Sequence, residues 1–356
     1  MSTARGTIRF SSGAAGLAVS AAVFLALYAL MINASPIAGT PALVSSFITL
    51  AAPLALAAAG TTLVLIVGGF DLSVAGTISL TNVIAATTME GRGESVWLIA
   101  ILVLLLGAMI GLVNGFFVAV LGLPALGVTL GTNIVLAGAA LMILPAPGGS
   151  VPAQFTDTLT ASAGFFPVSG AVLLAVALIW LLYSRSRMGM ATFAVGGDLA
   201  SSRLSGIPVA RVQMTNYALA GVLYAAAGLY FSAITGTGSP TSGSSFLLAS
   251  FAAAAMGLVS FTGGRGSLIA AMFGAGILTV VPKLLFAAGV ADFWVGVVQG
   301  LVVIVALCIP AAAHVLARRQ RSRSPESGVV VESHTMASAP SADAPQPTAL
   351  AKETAS

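Results

Sequence analysis

Residues able to do acid–base, metal or nucleophilic chemistry are few in this 356-residue chain, and they stand apart. His314, His334 and the single cysteine, Cys308, all lie toward the C-terminal end. One cysteine excludes a disulfide within the chain and any multi-cysteine zinc or iron–sulfur centre. Haem, di-metal and phosphoryl-transfer chemistry need clusters of His, Cys or carboxylates, and the sequence holds none. Neither lysine, Lys283 or Lys352, ends a glycine-rich run, so the chain has no phosphate-binding loop of its own. An enzyme would need a nucleophile beside a base, or metal ligands, and the histidines offer no such setting. Metal and cofactor sites are not expected.

The most informative polar stretch is GGDLASSRLSGIPVARV, residues 196–212. Gly196 and Gly197 interrupt the preceding run. Asp198 is a favourable N-cap, its carboxylate able to accept the free amides of a first turn. Leu199 to Ser205 make about two helical turns, with Ser201, Arg203, Leu204 and Ser205 spread around them. Gly206 suits the left-handed position after a helix, Ile207 the apolar residue beyond it, and Pro208 prevents resumption. A helix this short is marginal alone, which favours docking against a partner over a solitary interfacial helix.

Other polar residues are neutral and embedded in apolar runs: Thr81, Asn82, Asn114, Thr129, Asn133, Asn216 and Gln299. Asn82, Asn114, Thr129 and Asn133 can line a path for an uncharged hydroxylated solute, exchanging hydrogen bonds with water. The alternative is cross-helix bonding, about 0.6 to 2 kcal/mol each. Asp71, Arg265, Lys283 and Asp292 sit near the ends of apolar runs. Ion-coupled carriers keep carboxylates or histidines at mid-membrane, and that pattern is missing. Asp71 is placed to cap the helix that follows it, and Gly263, Gly264 and Gly266 allow a tight turn carrying Arg265. A gating role for Asp71, Gly263, Gly264 and Arg265 is the second reading.

The elements that position these residues follow from composition. Hydrophobic residues are 58% of the chain and charged residues 7%, too few charges for a water-facing shell, since ordinary globular proteins carry about 25%. The expected fold class is an all-α integral membrane protein. Taking about 20 apolar residues per crossing, ten spans are predicted at roughly 15–33, 42–67, 72–89, 96–121, 125–144, 168–183, 213–234, 245–260, 267–286 and 293–312. β-barrel strands would alternate apolar and polar residues, and runs such as Leu98 to Leu106 do not.

With an even number of spans both termini share a side. If that side is cytoplasmic, it collects every basic residue except Arg92 and Lys283, as the positive-inside rule requires. Residues 145–167 then lie outside. The first apolar stretch is longer than a signal core and is expected to stay as a helix. The expected domains are a cytoplasmic tail at 1–14, a transmembrane domain at 15–312 with a cytoplasmic loop at 184–212, and a disordered cytoplasmic tail at 313–356. The RRQRSR segment at the start of that tail is a stop-transfer flank, or a contact for anionic lipid headgroups. The net charge of +4 lies in loops and tails, and no nucleic-acid partner is expected.

Residues 196–207 resemble the G-G-N-x-x-A-A-R-L-S-G-I segment of the ribose-type permeases of bacterial ABC importers, in the branched-chain-amino-acid/monosaccharide permease superfamily. Three further segments run in the same order: LVLIVGGFDLSVAG at 63–76, GLVNGFFVAVLGLPALGVTLGT at 111–132, and FTGGRGSLIAAMFGAGIL at 261–278. The likeness covers about 42–310. Asp198 stands where the family has Asn, Ser201 and Ser202 replace an alanine pair, and Leu247 replaces an acidic residue. Gly257-Leu258 stands where a Gly-Gly pair is expected.

The resemblance implies an ABC-importer permease fold in the bacterial cytoplasmic membrane, moving a monosaccharide or similar neutral polyol by alternating access. It implies that Gly197, Asp198, Ser201, Arg203, Leu204, Ser205, Gly206 and Ile207 form a coupling helix against a cytoplasmic ABC ATPase, which carries ATP and Mg. It also implies an extracytoplasmic solute-binding protein and a second permease copy or paralogue. A stand-alone facilitator or secondary carrier is the rival reading from residues alone.

Overall fold

The computed structural model describes residues 11–291, with Trp294, 296–298, 300–305 and Cys308. The first ten residues, the expected tail at 313–356 and part of the span expected at 293–312 lie outside the described residues. Within them the chain is an all-α membrane protein. The helices are α1 (Ser11–Ala34), α2 (Pro41–Ile66), α3 (Val74–Met89), α4 (Val96–Ala119), α5 (Ala125–Ile143) and α6 (Ala153–Thr160). After a two-residue hairpin, Ser162–Ala163 with Phe166–Pro167, come α7 (Val168–Arg185), α8 (Arg187–Gly197), α9 (Leu199–Leu204), α10 (Val209–Thr235), α11 (Ser244–Met256) and α12 (Leu268–Ala287).

Among the described residues seven helices, α1, α2, α4, α5, α7, α10 and α12, are long and apolar enough to cross a bilayer. They coincide with seven of the ten expected spans within a few residues. The third and eighth expected spans are shorter helices. α3 has 16 residues and α11 has 13, about 24 and 20 Å at 1.5 Å per residue, against a hydrocarbon core of about 30 Å. A crossing by either would have to be completed by non-helical chain. α6 and the hairpin within 145–167, and α8 within 184–212, were not expected.

α2 and α10 form the centre, burying Leu56, Leu65, Ile66, Tyr217 and Tyr224, while α5 and α7 leave most of their apolar surface outward. Outward Leu and Ile cost nothing in lipid; helix association there rests on close packing and cross-helix hydrogen bonds. α4 supplies the first with Gly107, Gly111 and Gly115, one turn apart. A Cβ on Gly111 would overlap the carbonyl of Tyr217, and one on Gly107 the carbonyl of Gly221, so α4 and α10 pack backbone to backbone.

At the opposite end from α9, the α10–α11 connector is stitched to the 145–167 segment. Gly148 and Gly238 exchange backbone hydrogen bonds of 3.0 and 2.8 Å, and Val151 donates to the Gly236 carbonyl at 3.0 Å.

Candidate functional site

α9 is six residues long and capped at both ends. Asp198 is extended at φ −158° and ψ 109°, and its Oδ1 accepts from the amides of Ala200 and Ser201 at 2.9 and 3.1 Å. The Ser201 hydroxyl donates to Oδ2 at 2.8 Å. These bonds, from the Ser201 amide and hydroxyl and then the Ala200 amide, hold the carboxyl below its ordinary pKa. At the far end Gly206 has φ +74°. Its amide donates to the Arg203 carbonyl at 3.0 Å, and that of Ile207 to the Ser202 carbonyl at 3.1 Å. This crossed pair is a Schellman closure. Ser202 faces inward, while Arg203, Ser205 and Leu204, the last 90% exposed, face out.

α8 and α10 hold this helix from behind. Asn216 donates to the Thr192 hydroxyl at 2.9 Å and to the Val212 carbonyl at 2.8 Å, and accepts from Tyr183 at 3.3 Å. That ties α7, α8 and α10 together with a fully satisfied amide. Val67, Val195, Val209 and Val212 bury one another beside it.

Three connectors then meet at the end of α8. Gly264 donates its amide to the Ile66 carbonyl at 2.9 Å. A Cβ on Gly196 would overlap that same carbonyl, and one on Gly263 the carbonyl of Gly196. Gly68 and Gly263 take φ +84° and +85°. The chain between α2 and α3 and the chain between α11 and α12 are thus pressed on the residue two before Asp198. The exposed Arg265 projects from the second connector.

The two connectors leave their helices in the same way. Gly68 and Gly69 donate to Leu65 and Val64; Leu258 and Val259 donate to Ala255 and Ala254. Both are Schellman closures, so Leu258, at φ +53°, holds the position that Gly68 holds in the other connector.

Beyond Gly69 the chain turns into the bundle, which corrects the sequence expectation for Asp71. α3 begins at Val74, and Asp71 Oδ1 accepts from the amide and hydroxyl of Ser73 at 2.9 and 2.6 Å, upstream of the first turn. The carboxylate is buried, and its Oδ2 has no partner among the described residues. The neighbouring polar groups hold the start of α3. Thr129 Oγ1 accepts from the Leu72 amide at 3.0 Å, Asn133 Oδ1 from the Gly76 amide at 2.7 Å, and Asn114 donates to Ser73 Oγ at 2.9 Å. Tyr217 donates to the Phe70 carbonyl at 3.1 Å. Asn82 serves the far half of α3: it donates to Ser232 Oγ and the Thr237 carbonyl, and accepts from the Ser239 amide and the Ser242 hydroxyl. All four candidate pathway residues have hydrogen bonds to protein partners, which supports the cross-helix alternative.

Residues 43–307 match the family described as "Branched-chain amino acid transport system / permease component". The chain belongs to that family. This permease is 32% identical over 265 residues to a galactose/methyl galactoside import permease protein of Haemophilus influenzae, covering 69% of this chain and 79% of that protein. It is 31% identical over 267 residues to a ribose import permease protein of Escherichia coli K12, covering 72% and 81%. It is 35% identical over 264 residues to a probable ABC transporter permease protein of Sinorhizobium fredii, covering 72% and 78%. No solved structure matches the chain.

In this permease the structure therefore gathers the predicted residues into three places. Gly197 to Ile207 form the capped turn, with Gly263 and Gly264 against its root. Asp71, Asn114, Thr129 and Asn133 surround the start of α3. Asn82 lies in its far half, apart from both. Reasoning from sequence missed Thr192, Val195, Tyr183 and Tyr217, whose roles depend on partners far along the chain. It also missed that Gly196 is a packing contact and not only a break. Leu247, where the resemblance expects an acid, packs half-buried among apolar residues shared by α2, α10 and α11.

Proposed function

We propose that this permease is the membrane subunit of an ATP-binding cassette importer that carries a monosaccharide or similar neutral polyol inward by alternating access. The family, and the galactose and ribose permeases among its relatives, support the solute class. The observation that carries the coupling role is α9: a six-residue helix, closed at both ends, presenting Leu204 and Arg203 outward. Six residues do not hold a helix in water unaided. Two caps and a partner do.

The partner is a cytoplasmic ABC ATPase, which binds ATP and Mg; this chain binds neither. An extracytoplasmic solute-binding protein delivers solute, and a second permease copy or paralogue completes the path. Both termini face the cytoplasm, and the chain sits in the bacterial inner membrane. Movement of α9 reaches α8 through Asp198 and then both glycine connectors, because backbone contact at Gly196 leaves no compliant side chain between them. The α2–α3 connector passes the displacement to α3, whose far half anchors the α10–α11 connector through Asn82. One helix thus links the two ends of the bundle.

Uptake in vesicles containing this permease with its cognate ATPase and binding protein tests the reading. Uptake should persist when proton and sodium gradients are collapsed and ATP is maintained. Loss of uptake with ATP still high would replace the importer reading with a secondary carrier.

A further inference from the structure

Beside α9 a cleft of about 380 Å³ opens between the end of α4 and the turn into α10, lined by Ala119, Arg203, Ile207, Pro208, Val209, Ala210 and Arg211. That is room for a side chain and not only for water, whose share of liquid volume is about 30 Å³. Its charge is one-sided. Arg203 and Arg211 come from different helices to the same cleft, and no acidic residue lines it. Among the described residues neither guanidinium has an ion-pair or hydrogen-bond partner. The nearest carboxylate in sequence, Asp198, has both oxygens engaged on Ala200 and Ser201.

The backbone adds to the same sign. α10 begins here and runs 27 residues, so its positive dipole end faces the cleft. Pro208 brings no amide, Val209 donates to Ile207 and Val212 to Pro208, leaving the amides of Ala210 and Arg211 in the first turn. The floor is apolar, from Ile207, Pro208 and Val209, and Leu204 stands exposed one position from Arg203. An occupant that offers a carboxylate to the two arginines and an apolar surface to Leu204 and the floor fits this lining.

We propose that the ATPase partner seats a carboxylate side chain in this cleft, between Arg203 and Arg211, with its apolar groove taking Leu204. This rests on the coupling reading above and adds to it the chemistry of the partner's surface. An acid held by both arginines, which come from separate helices, would favour one orientation of α9 in the ATPase. A charge-paired contact of this kind weakens with salt, and removing its cations slows association and speeds release.

The test uses full-length permease co-expressed with its cognate ATPase and purified in detergent, with binding measured from low to high salt. The double variant Arg203→Gln with Arg211→Gln should bind the ATPase roughly tenfold or more weakly and lose most of the parent's salt dependence. Arg203→Lys with Arg211→Lys should keep much of both. An Arg211→Glu defect should be recovered by converting one acidic residue of the ATPase surface to Lys. If the double Gln variant inserts normally and binds with the parent's affinity and salt slope, the proposal is overturned. Loss only of retention on vesicles containing anionic lipid, with ATPase binding intact, would also overturn it and assign the cleft to a headgroup. Failure of the parent itself to hold the ATPase would instead remove the coupling reading, and this proposal with it.

Discussion

The amide of Gly264 donates to the carbonyl of Ile66 at 2.9 Å, joining two connectors that are almost 200 residues apart in sequence. Gly196, at the end of α8, lies on the same carbonyl with no space for a Cβ. Three chain segments thus share one backbone contact directly above α9. A displacement there cannot be absorbed by rotamer changes, because no side chain intervenes.

This geometry separates two adjacent glycines. A methyl group on Gly196 would overlap the Ile66 carbonyl and lie 2.7 Å from the Gly264 amide nitrogen, whereas one on Gly197 meets nothing within 4 Å. Gly196→Ala should abolish or sharply reduce uptake, and Gly197→Ala should leave it within about twofold of the parent, since exposed changes away from special features stay within about 0.5 kcal/mol. Uptake normalised to the amount of permease in the membrane is the readout. Equal activity of the two variants would remove Gly196 from the transmission route.

Gly206 poses a different constraint, since open space surrounds it and only its φ of +74° restricts the side chain. A non-glycine residue there costs about 1–2 kcal/mol, and a β-branched one more. Gly206→Ala should weaken ATPase co-purification modestly and Gly206→Val severely, with membrane insertion unchanged for both. An unimpaired Gly206→Val variant would mean that the closure of α9 is not required for coupling.

The long helices were legible because length and apolarity alone decide a membrane span. α9 was legible because Asp, Gly and Pro act locally, each on the backbone within three residues of itself. α8 was not, because its closing Gly196-Gly197 reads as a break until the partners at Ile66 and Gly263 are known. Asp71 misled for a related reason. Asp71 stands where a cap for the next helix is expected, yet Tyr217, Asn114, Thr129 and Asn133 draw the segment into the bundle. The polarity of those four was visible in the sequence, but which backbone amides they would satisfy was not.

Leu258 carries a cost that its counterpart Gly68 does not. A left-handed non-glycine residue costs about 1–2 kcal/mol, and the extra chain entropy of glycine returns about 0.5–1 kcal/mol of that. Leu258→Gly should therefore stabilise the permease by up to about 1 kcal/mol, raising its thermal midpoint by a few degrees. Uptake should be unchanged, since the connector keeps its path. A lower midpoint would show that the partly exposed Leu258 side chain contributes more by packing than its backbone loses.

The arginine asymmetry supports the proposed orientation, which thiol labelling can test. In a Cys308→Ala background, Ser150→Cys should react with an impermeant thiol reagent added outside intact cells, and Leu204→Cys only after the membrane is opened. Both positions are exposed, so access is decided by the bilayer. Labelling of both from one side would sink the proposed orientation.

The Asp198 cap makes a prediction about pH. Hydrogen bonds from Ser201 and Ala200 favour the ionised carboxylate and hold its pKa below the ordinary value. For a depressed carboxylate the stabilisation is fully present above the unfolded value, about 3.9, and disappears as pH falls through the lower folded value. The cap should therefore be constant from pH 8 down to pH 5 and fail only in strong acid. Hydrogen exchange at the Ala200 and Ser201 amides, corrected for intrinsic rate, measures this directly. Protection should be level across pH 5–8 and should drop as pH approaches 3. Asp198→Asn keeps an oxygen acceptor without the titration, so its protection should stay level to lower pH, whereas Asp198→Ala should lose protection at every pH. A fall in the parent between pH 7 and 5 would exclude this carboxylate as the group responsible. It would point instead to a residue outside α9 controlling how the helix is held.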